Sequence, residues 1–299
     1  MDTKITQPAG RRGTVERSAL LARLVDAGEP VVSVVAPAGY GKTSLLTQWS
    51  ARTPRAVAWI SLDRDDNDPA VLLACLGAAL AGIGPVDEGL VRATSWPGLS
   101  VAAAVARRAA TALAALGEPV TVVLDHAEVL VSPDARDVLG ELAVRLPPNT
   151  QLAVASRDAP PLPLGLLRAQ GAVLEIGIDD LVMDAAEARE LLDGVGDELA
   201  GTDAEDVVRR TEGWPVGIYL AALALRAGRG RSAAAVSFRG DDRAVADYLR
   251  SELLARVSPD RRSFLTRTSV LDRMCGPCAT PCSPASARAG CWRSWRDRT

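Results

Sequence analysis

The stretch VVSVVAPAGYGKTS at residues 31–44 decides the fold, because it joins a buried strand, a glycine-rich loop and the start of a helix. The run Val31–Val35 is rich in β-branched residues, as is typical of a strand buried on both faces of a parallel sheet. The loop follows the P-loop pattern G-x-x-x-x-G-K-[ST], except that Ala36 stands where the first glycine is usual. A plain glycine-rich turn is the alternative interpretation.

Such a loop binds phosphate because its glycines let backbone N–H groups curl around the oxygens, and the next helix adds the positive end of its dipole. We expect the Lys42 ammonium to bridge the β- and γ-phosphates and the Thr43 hydroxyl to ligate Mg²⁺. The predicted phosphate-binding residues are Ala36, Pro37, Ala38, Gly39, Tyr40, Gly41, Lys42, Thr43 and Ser44.

A second candidate element is the mainly apolar run Val120–Asp125, which ends in an aspartate. This pattern is typical of a Walker B strand, whose carboxylate holds the water shell of Mg²⁺ beside the P-loop. Asp125 and Thr43 are therefore the predicted metal residues. A second acid often follows in P-loop proteins that hydrolyse ATP, but His126 occupies that position here and Glu128 lies two residues later. Either could polarise an attacking water, or both could only cap the strand end.

The third candidate is Arg157, in the sequence Ser156-Arg157-Asp158 after the predicted strand Leu152–Ala155. A guanidinium at the end of a strand beside the Walker B strand can contact the γ-phosphate and so distinguish ATP from ADP. A solvated loop arginine is the alternative. The predicted catalytic set is Asp125, Glu128 and Arg157.

Strands and helices alternate through the first 180 residues, which predicts right-handed βαβ crossovers and a parallel α/β sheet. Beyond Asp180 every periodic segment is helical. The predicted strands are Val31–Val35, Val57–Leu62, Val120–Leu124, Leu152–Ala155 and Ala172–Ile176. The predicted helices are Leu20–Val25, Ser44–Ser50, Pro69–Ala81, Leu99–Leu116, Pro133–Arg145, Ala185–Leu192, Ala204–Thr211, Val216–Arg226, Arg243–Arg256 and Asp260–Thr268.

Composition excludes several classes of partner. The net charge of −3 offers no global basic field for nucleic acid. The N-terminal residues lack the apolar core of a signal peptide, and the apolar runs are too short for a transmembrane helix, so we expect a cytoplasmic protein without a membrane partner. Cys275, Cys278, Cys282 and Cys291 crowd a tail with almost no aliphatic residue, and we expect no metal site there.

Together these features resemble the ATP-binding part of the MalT-like, large ATP-binding LuxR-type transcriptional regulators, a branch of the STAND P-loop NTPases. The resemblance runs from about Val15 to Gly276 and includes the alanine at position 36. It implies that Pro215, in a G-x-P motif, lies on the adenine side of the nucleotide pocket, and that Trp214 and Pro215 tie the nucleotide to the helical domain. Other matching segments are Trp59–Asp63, Asn67–Pro69, Ser156–Arg157, Pro160–Leu164, Asp247–Leu249 and Thr268–Arg273.

The resemblance also implies a domain organisation. The predicted units are a disordered lead-in at 1–13, a P-loop NTPase domain at 14–180, a helical domain at 181–240, an incomplete winged-helix region at 241–275 and a disordered, aberrant tail at 276–299. The family continues into sensor repeats and a C-terminal helix-turn-helix domain, which this chain lacks, so DNA contact is expected only through that absent domain. A frameshift near Cys278 is the hypothesis for the tail, because another reading frame of a GC-rich back-translation encodes an amphipathic helix.

The expected function is that of an ATP-binding switch module with Mg²⁺, in which ATP and ADP favour different domain arrangements. Hydrolysis is expected to be slow, and the ATP state is expected to self-associate in a full-length regulator. Two alternatives stay open: a P-loop kinase or motor ATPase with fast turnover, and a non-functional truncated fragment.

Overall fold

The computed structural model describes residues 3–10, 13–85, 101–195, 204–227, 243–252 and 254–269. Its centre is a sheet of five strands in the order β2-β3-β4-β1-β5, and each neighbouring pair is parallel. The strands are β1 (Val31–Val35), β2 (Ala56–Ser61), β3 (Val120–Asp125), β4 (Thr150–Ser156) and β5 (Val173–Ile176). The α/β fold and all the predicted strands are therefore confirmed, with ends that shift by at most two residues.

Helices cover both faces of the sheet and then continue without further strands in the described part of the chain. The sheet region contains α1 (Ser18–Val25), α2 (Lys42–Ser50), α3 (Pro69–Ala81), α4 (Val101–Ala115), α5 (Pro133–Val144), α6 (Leu164–Ala169) and α7 (Ile178–Leu181). The later helices are α8 (Ala185–Val195), α9 (Ala204–Thr211), α10 (Pro215–Ala227), α11 (Arg243–Glu252) and α12 (Pro259–Thr268). Short 3₁₀ segments lie at Arg64–Asn67, Ala127–Val129 and Leu254–Arg256.

The alternation of side chains along the strands builds two separate cores. In β3, Val122 and Leu124 join the core formed with α3, α4 and α5, whereas Val123 joins the core formed with α1 and α2. A third core holds α8, α9 and α10 together around Leu192 and Ile218. The helical region thus has its own core. It meets the sheet region through individual hydrogen bonds and ion pairs.

Lys4 lies in the lead-in at 1–13, which the sequence predicts to be disordered, but it contacts the folded chain. Its ammonium lies 2.9 Å from Asp63 Oδ1 and 2.7 Å from Asp66 Oδ2, and its carbonyl accepts a 2.8 Å hydrogen bond from the N–H of Ser61. Strand β2 is at the edge of the sheet, so its outer N–H groups need partners from outside the sheet. The carboxylate of Asp66 is fully buried and needs a counter-charge, which Lys4 supplies.

The helix predicted over Arg243–Arg256 ends at Glu252, and a 3₁₀ turn follows. The chain must turn here because α12 begins soon afterwards, with Pro259 at its first position and the Ser258 side chain accepting from the N–H of Arg261. The loop at 228–231, the predicted tail at 276–299 and its cysteines lie outside the described residues. None of the described helices combines the length and the hydropathy that a bilayer-spanning segment needs.

Candidate functional site

The loop between β1 and α2 has the backbone that its sequence predicts. Gly39 and Gly41 have φ angles of 84° and 81°, in the left-handed region that favours glycine. Gly41 precedes the first residue of α2, so the N–H groups of the first helical turn, from Lys42 onward, lack partners within the helix. This arrangement presents N–H groups and a helix dipole to an anion.

Lys42 is buried inside the loop that it follows. Its Nζ donates to the carbonyl of Ala36 at 2.5 Å and to that of Pro37 at 3.0 Å. Burial lowers the pKa of Lys42 to about 8, opposed by the carboxylate of Glu128 and assisted by the guanidinium of Arg157. Lys42, Glu128 and Arg157 are therefore close enough to sense one another's charge.

Thr43 and Asp125 meet at the carboxyl end of β3. The Thr43 hydroxyl donates a 2.7 Å hydrogen bond to Asp125 Oδ2, and the N–H of His126 donates to Oδ1 at 3.0 Å. Both side chains offer the oxygen atoms that Mg²⁺ prefers, and a protein usually gives this ion only one or two ligands beside phosphate and water. The pair fits such an ion, and the part of the chain that the structure describes holds no cluster of three or more His, Cys, Asp or Glu side chains suited to a metal.

His126 and Glu128 form an acid–imidazole pair just after β3. His126 has a φ of 65°, and its Nδ1 lies 3.7 Å from Glu128 Oε1. Burial alone would raise the pKa of Glu128, but the interaction with the His126 imidazole and the backbone N–H groups, including that of Arg157, outweigh it and lower the pKa to about 2. The same interaction raises the pKa of His126. Glu128 is therefore ionised and only weakly basic.

Arg157 is held by two carboxylates. Its Nε lies 3.0 Å from Glu128 Oε1, and its backbone N–H donates to Glu128 Oε2 at 3.1 Å. Its Nη2 donates to Glu252 Oε2 at 3.0 Å, and the guanidinium side chain is only 19% exposed. In this structure Arg157 thus joins the loop after β3 to the end of α11.

The start of α10 packs against the phosphate loop. Trp214 Nε1 donates to the carbonyl of Ala38 at 3.1 Å, and the N–H of Val216 donates to that of Gly39 at 3.1 Å. Pro215 is the first residue of α10 and is buried. In the sequence it lies between Trp214 and Val216, which make these two hydrogen bonds. A Cβ at Gly39 would lie 2.7 Å from Trp214 Nε1, so no other residue fits without a shift.

Two contact residues of this site were not singled out as site residues from the sequence. Tyr248 packs edge-on against Trp214, with ring centroids 5.6 Å apart, and Glu252 pairs with Arg157. Both lie on α11, and Glu252 is 95 residues from Arg157 along the chain. Helical spacing could show that they share a face, but not that this face meets the loop.

The chain is similar in sequence to known transcriptional regulators. The regulators named HTH-type transcriptional regulator MalT from Serratia proteamaculans and Klebsiella pneumoniae are 29% and 30% identical to the chain, in each case over 280 residues and 91% of its length. The chain is MalT-like. It spans only about 30% of the length of these regulators. No protein-family model matches the chain.

A solved Walker-type ATPase from Pyrococcus abyssi has the same fold. It superposes with a TM-score of 0.52 at 16% identity, covering 91% of the MalT-like chain and 84% of its own. At this identity the likeness concerns the fold alone. It agrees with the α/β fold built on the parallel sheet.

Proposed function

We propose that the chain binds ATP with Mg²⁺ and serves as the nucleotide-dependent switch module of a LuxR/MalT-type transcriptional regulator. The observation that carries the proposal is convergence: Lys42, Thr43, Asp125 and Arg157 meet at the carboxyl ends of three adjacent strands. Ligands of open α/β sheets bind at this edge. The similarity to MalT over 91% of the chain supports the regulatory context.

Lys42 now donates to carbonyls of the loop and would donate to the β- and γ-phosphates when a nucleotide is bound. The N–H groups of residues 38–44 would donate to the phosphate oxygens. Thr43 would hold Mg²⁺ directly and Asp125 would hold it through water. The ion supplies positive charge next to the phosphates. Arg157 is the proposed sensor of the γ-phosphate.

Hydrolysis is proposed to be slow. A carboxylate with a pKa of about 2 is a poor proton acceptor at neutral pH, and both oxygens of Glu128 already face Arg157. His126 stands where many hydrolysing P-loop proteins have an acid, and the neighbouring Glu128 raises its pKa, which favours the charged form over the neutral base. An ATP state with these groups is long-lived, as a switch requires.

The contacts at the start of α10 would transmit the nucleotide state. Trp214 and Pro215 join the phosphate loop to the helical region, so a loop that closes on ATP or ADP also changes what those residues contact. In a full-length regulator the ATP state is proposed to self-associate. DNA contact is proposed only through a helix-turn-helix domain of the kind named in the relatives, not through the helices described here.

The deciding experiment compares nucleotide affinity and turnover for the wild type and Lys42→Ala. Removing one charged hydrogen-bonding group should weaken ATP and ADP binding by roughly 10- to 100-fold. Arg145→Ala is the control, because it removes a positive charge from an exposed side chain, which pairs with Glu141 of α5. It should bind nucleotide like the wild type.

Three results would contradict the proposal. Equal nucleotide affinity of the wild type and Lys42→Ala would show that the loop at 36–43 does not bind the phosphates. Absence of nucleotide binding by the wild type would favour a fragment without function. Turnover far above roughly one per minute, a rate typical of switch NTPases, would favour a kinase or motor ATPase.

A further inference from the structure

We propose that Glu252 is a positioning residue that makes this site prefer ADP to ATP, by holding Arg157 away from the γ-phosphate. The inference rests on the proposed nucleotide-binding function. It concerns a residue outside the phosphate loop and outside the Walker B strand, at the end of α11.

The geometry of Arg157 separates its two partners. Its Nε and backbone N–H engage Glu128, the neighbour from the loop after β3. Its Nη2 engages Glu252, whose side chain is 35% exposed. The contact with Glu252 can therefore be broken without breaking the contact with Glu128.

Helix α11 contacts the site at two places one turn apart. Tyr248 precedes Glu252 by four residues, so both project from the same face of the helix. The Tyr248 hydroxyl lies 3.0 Å from where a Cβ of Gly39 would be, and its ring packs against Trp214. The helix thus lies against the phosphate loop with one residue and against Arg157 with the other.

A γ-phosphate and the Glu252 carboxylate compete for the same N–H group. Both are anions with acceptor oxygens, and the guanidinium has a fixed fork of donors. A γ-phosphate that takes Nη2 also brings negative charge next to Glu252, so ATP must displace this carboxylate. ADP has no γ-phosphate and can bind while the Arg157–Glu252 pair remains intact.

The test is the ratio of ATP affinity to ADP affinity, measured with Mg²⁺ for the wild type and Glu252→Gln. The variant should bind ATP about three- to tenfold more tightly, as expected for the loss of a partly exposed ion pair that competes with the ligand. Its ADP affinity should change by less than about twofold. The matched control is Asp247→Asn, which removes the same charge from the same helix at a residue paired with Arg250, and it should leave the ratio unchanged.

A second pair of variants separates this role from a general effect on folding. In an Arg157→Ala background, Glu252→Gln should no longer alter the ratio of ATP affinity to ADP affinity. Glu252→Asp keeps the carboxylate and should therefore retain most of the preference for ADP. An unchanged ratio in Glu252→Gln, a weaker ATP affinity, or the same effect with and without Arg157 would overturn the inference. These outcomes differ from failure of the proposed function, in which the wild type would bind neither nucleotide.

Discussion

Lys42 carries the charge on which phosphate binding depends, and its burial makes that charge sensitive to pH. The pKa of about 8 in the free protein means that the ammonium is lost as pH rises through this value. Phosphate stabilises the protonated form and so raises the pKa in the complex. ATP affinity should therefore be nearly constant below pH 8 and fall by roughly tenfold per pH unit above it.

Titration of ATP·Mg²⁺ between about pH 7 and pH 9.5 checks this, with circular dichroism to confirm that the fold persists. Lys42→Arg is the control, because a guanidinium keeps its charge over this range. We expect weaker binding by this variant, without the alkaline decline. Equal wild-type affinity at both ends of the range would show that Lys42 does not hold the phosphates as a cation.

At this scale, short-range sequence patterns predicted which residues lie near one another better than they predicted individual side-chain pairs. Thr43 and Asp125 meet because one motif places Thr43 at the start of α2 and the other places Asp125 at the end of β3. The partner of Arg157 on α11 was not predictable, because an ion pair between residues 95 apart leaves no local periodicity. The roles assigned to all the predicted site residues, including Lys42, Asp125 and Arg157, stay predictions.

At the scale of elements, Asn67 joins two loops that flank the site. Its Oδ1 accepts from the N–H groups of Val131 and Ser132 at 2.7 Å, and its Nδ2 donates to the Val129 carbonyl at 2.8 Å. The 3₁₀ segment after β2 therefore holds the loop that carries Glu128. Asn67→Ala should lower the free energy of unfolding by about 2–3 kcal/mol, since several hydrogen bonds are lost together.

Urea denaturation measures this loss, and Asp68→Ala is the control. Asp68 caps α3 by accepting from the N–H of Ala70 but does not contact the Glu128 loop, so its removal should cost about 1 kcal/mol. Amide exchange in residues 127–132 should quicken in Asn67→Ala alone. A loss no larger than that of Asp68→Ala, with unchanged exchange, would contradict this role.

Elements whose signal is local were predicted closely. Helix α3 begins at Pro69 after Asp68 and ends at Ala81, as the capping pattern indicates, and β1 has the predicted bounds. The lead-in differed because its order comes from distant partners. Only the folded chain brings the edge of β2 and the buried Asp66 to Lys4, so polarity near the N-terminus could not reveal that contact.

At the scale of the whole molecule, Arg17 is a buried contact between the sheet region and the helical region. Its guanidinium donates to the carbonyls of Asp180, Leu181 and Val182 at 2.8–3.0 Å, and its Nε lies 2.9 Å from Glu187 Oε1 on α8. The residue is 8% exposed. It therefore satisfies the last carbonyls of α7, where the chain passes from one region to the other.

Arg17→Ala should cost about 2–4 kcal/mol of unfolding free energy, because it leaves buried carbonyls and the Glu187 carboxylate without their donor. Arg23→Ala is a matched control: Arg23 also lies in this part of the chain and pairs with the Asp180 side chain, but it is 44% exposed and should cost less than about 1 kcal/mol. Urea unfolding should also become less cooperative in Arg17→Ala alone, because the two regions have separate cores and lose a buried set of hydrogen bonds between them. Equal losses in the two variants, with one sharp transition in each, would show that the coupling resides elsewhere, in the contacts of α10 and α11 with the phosphate loop.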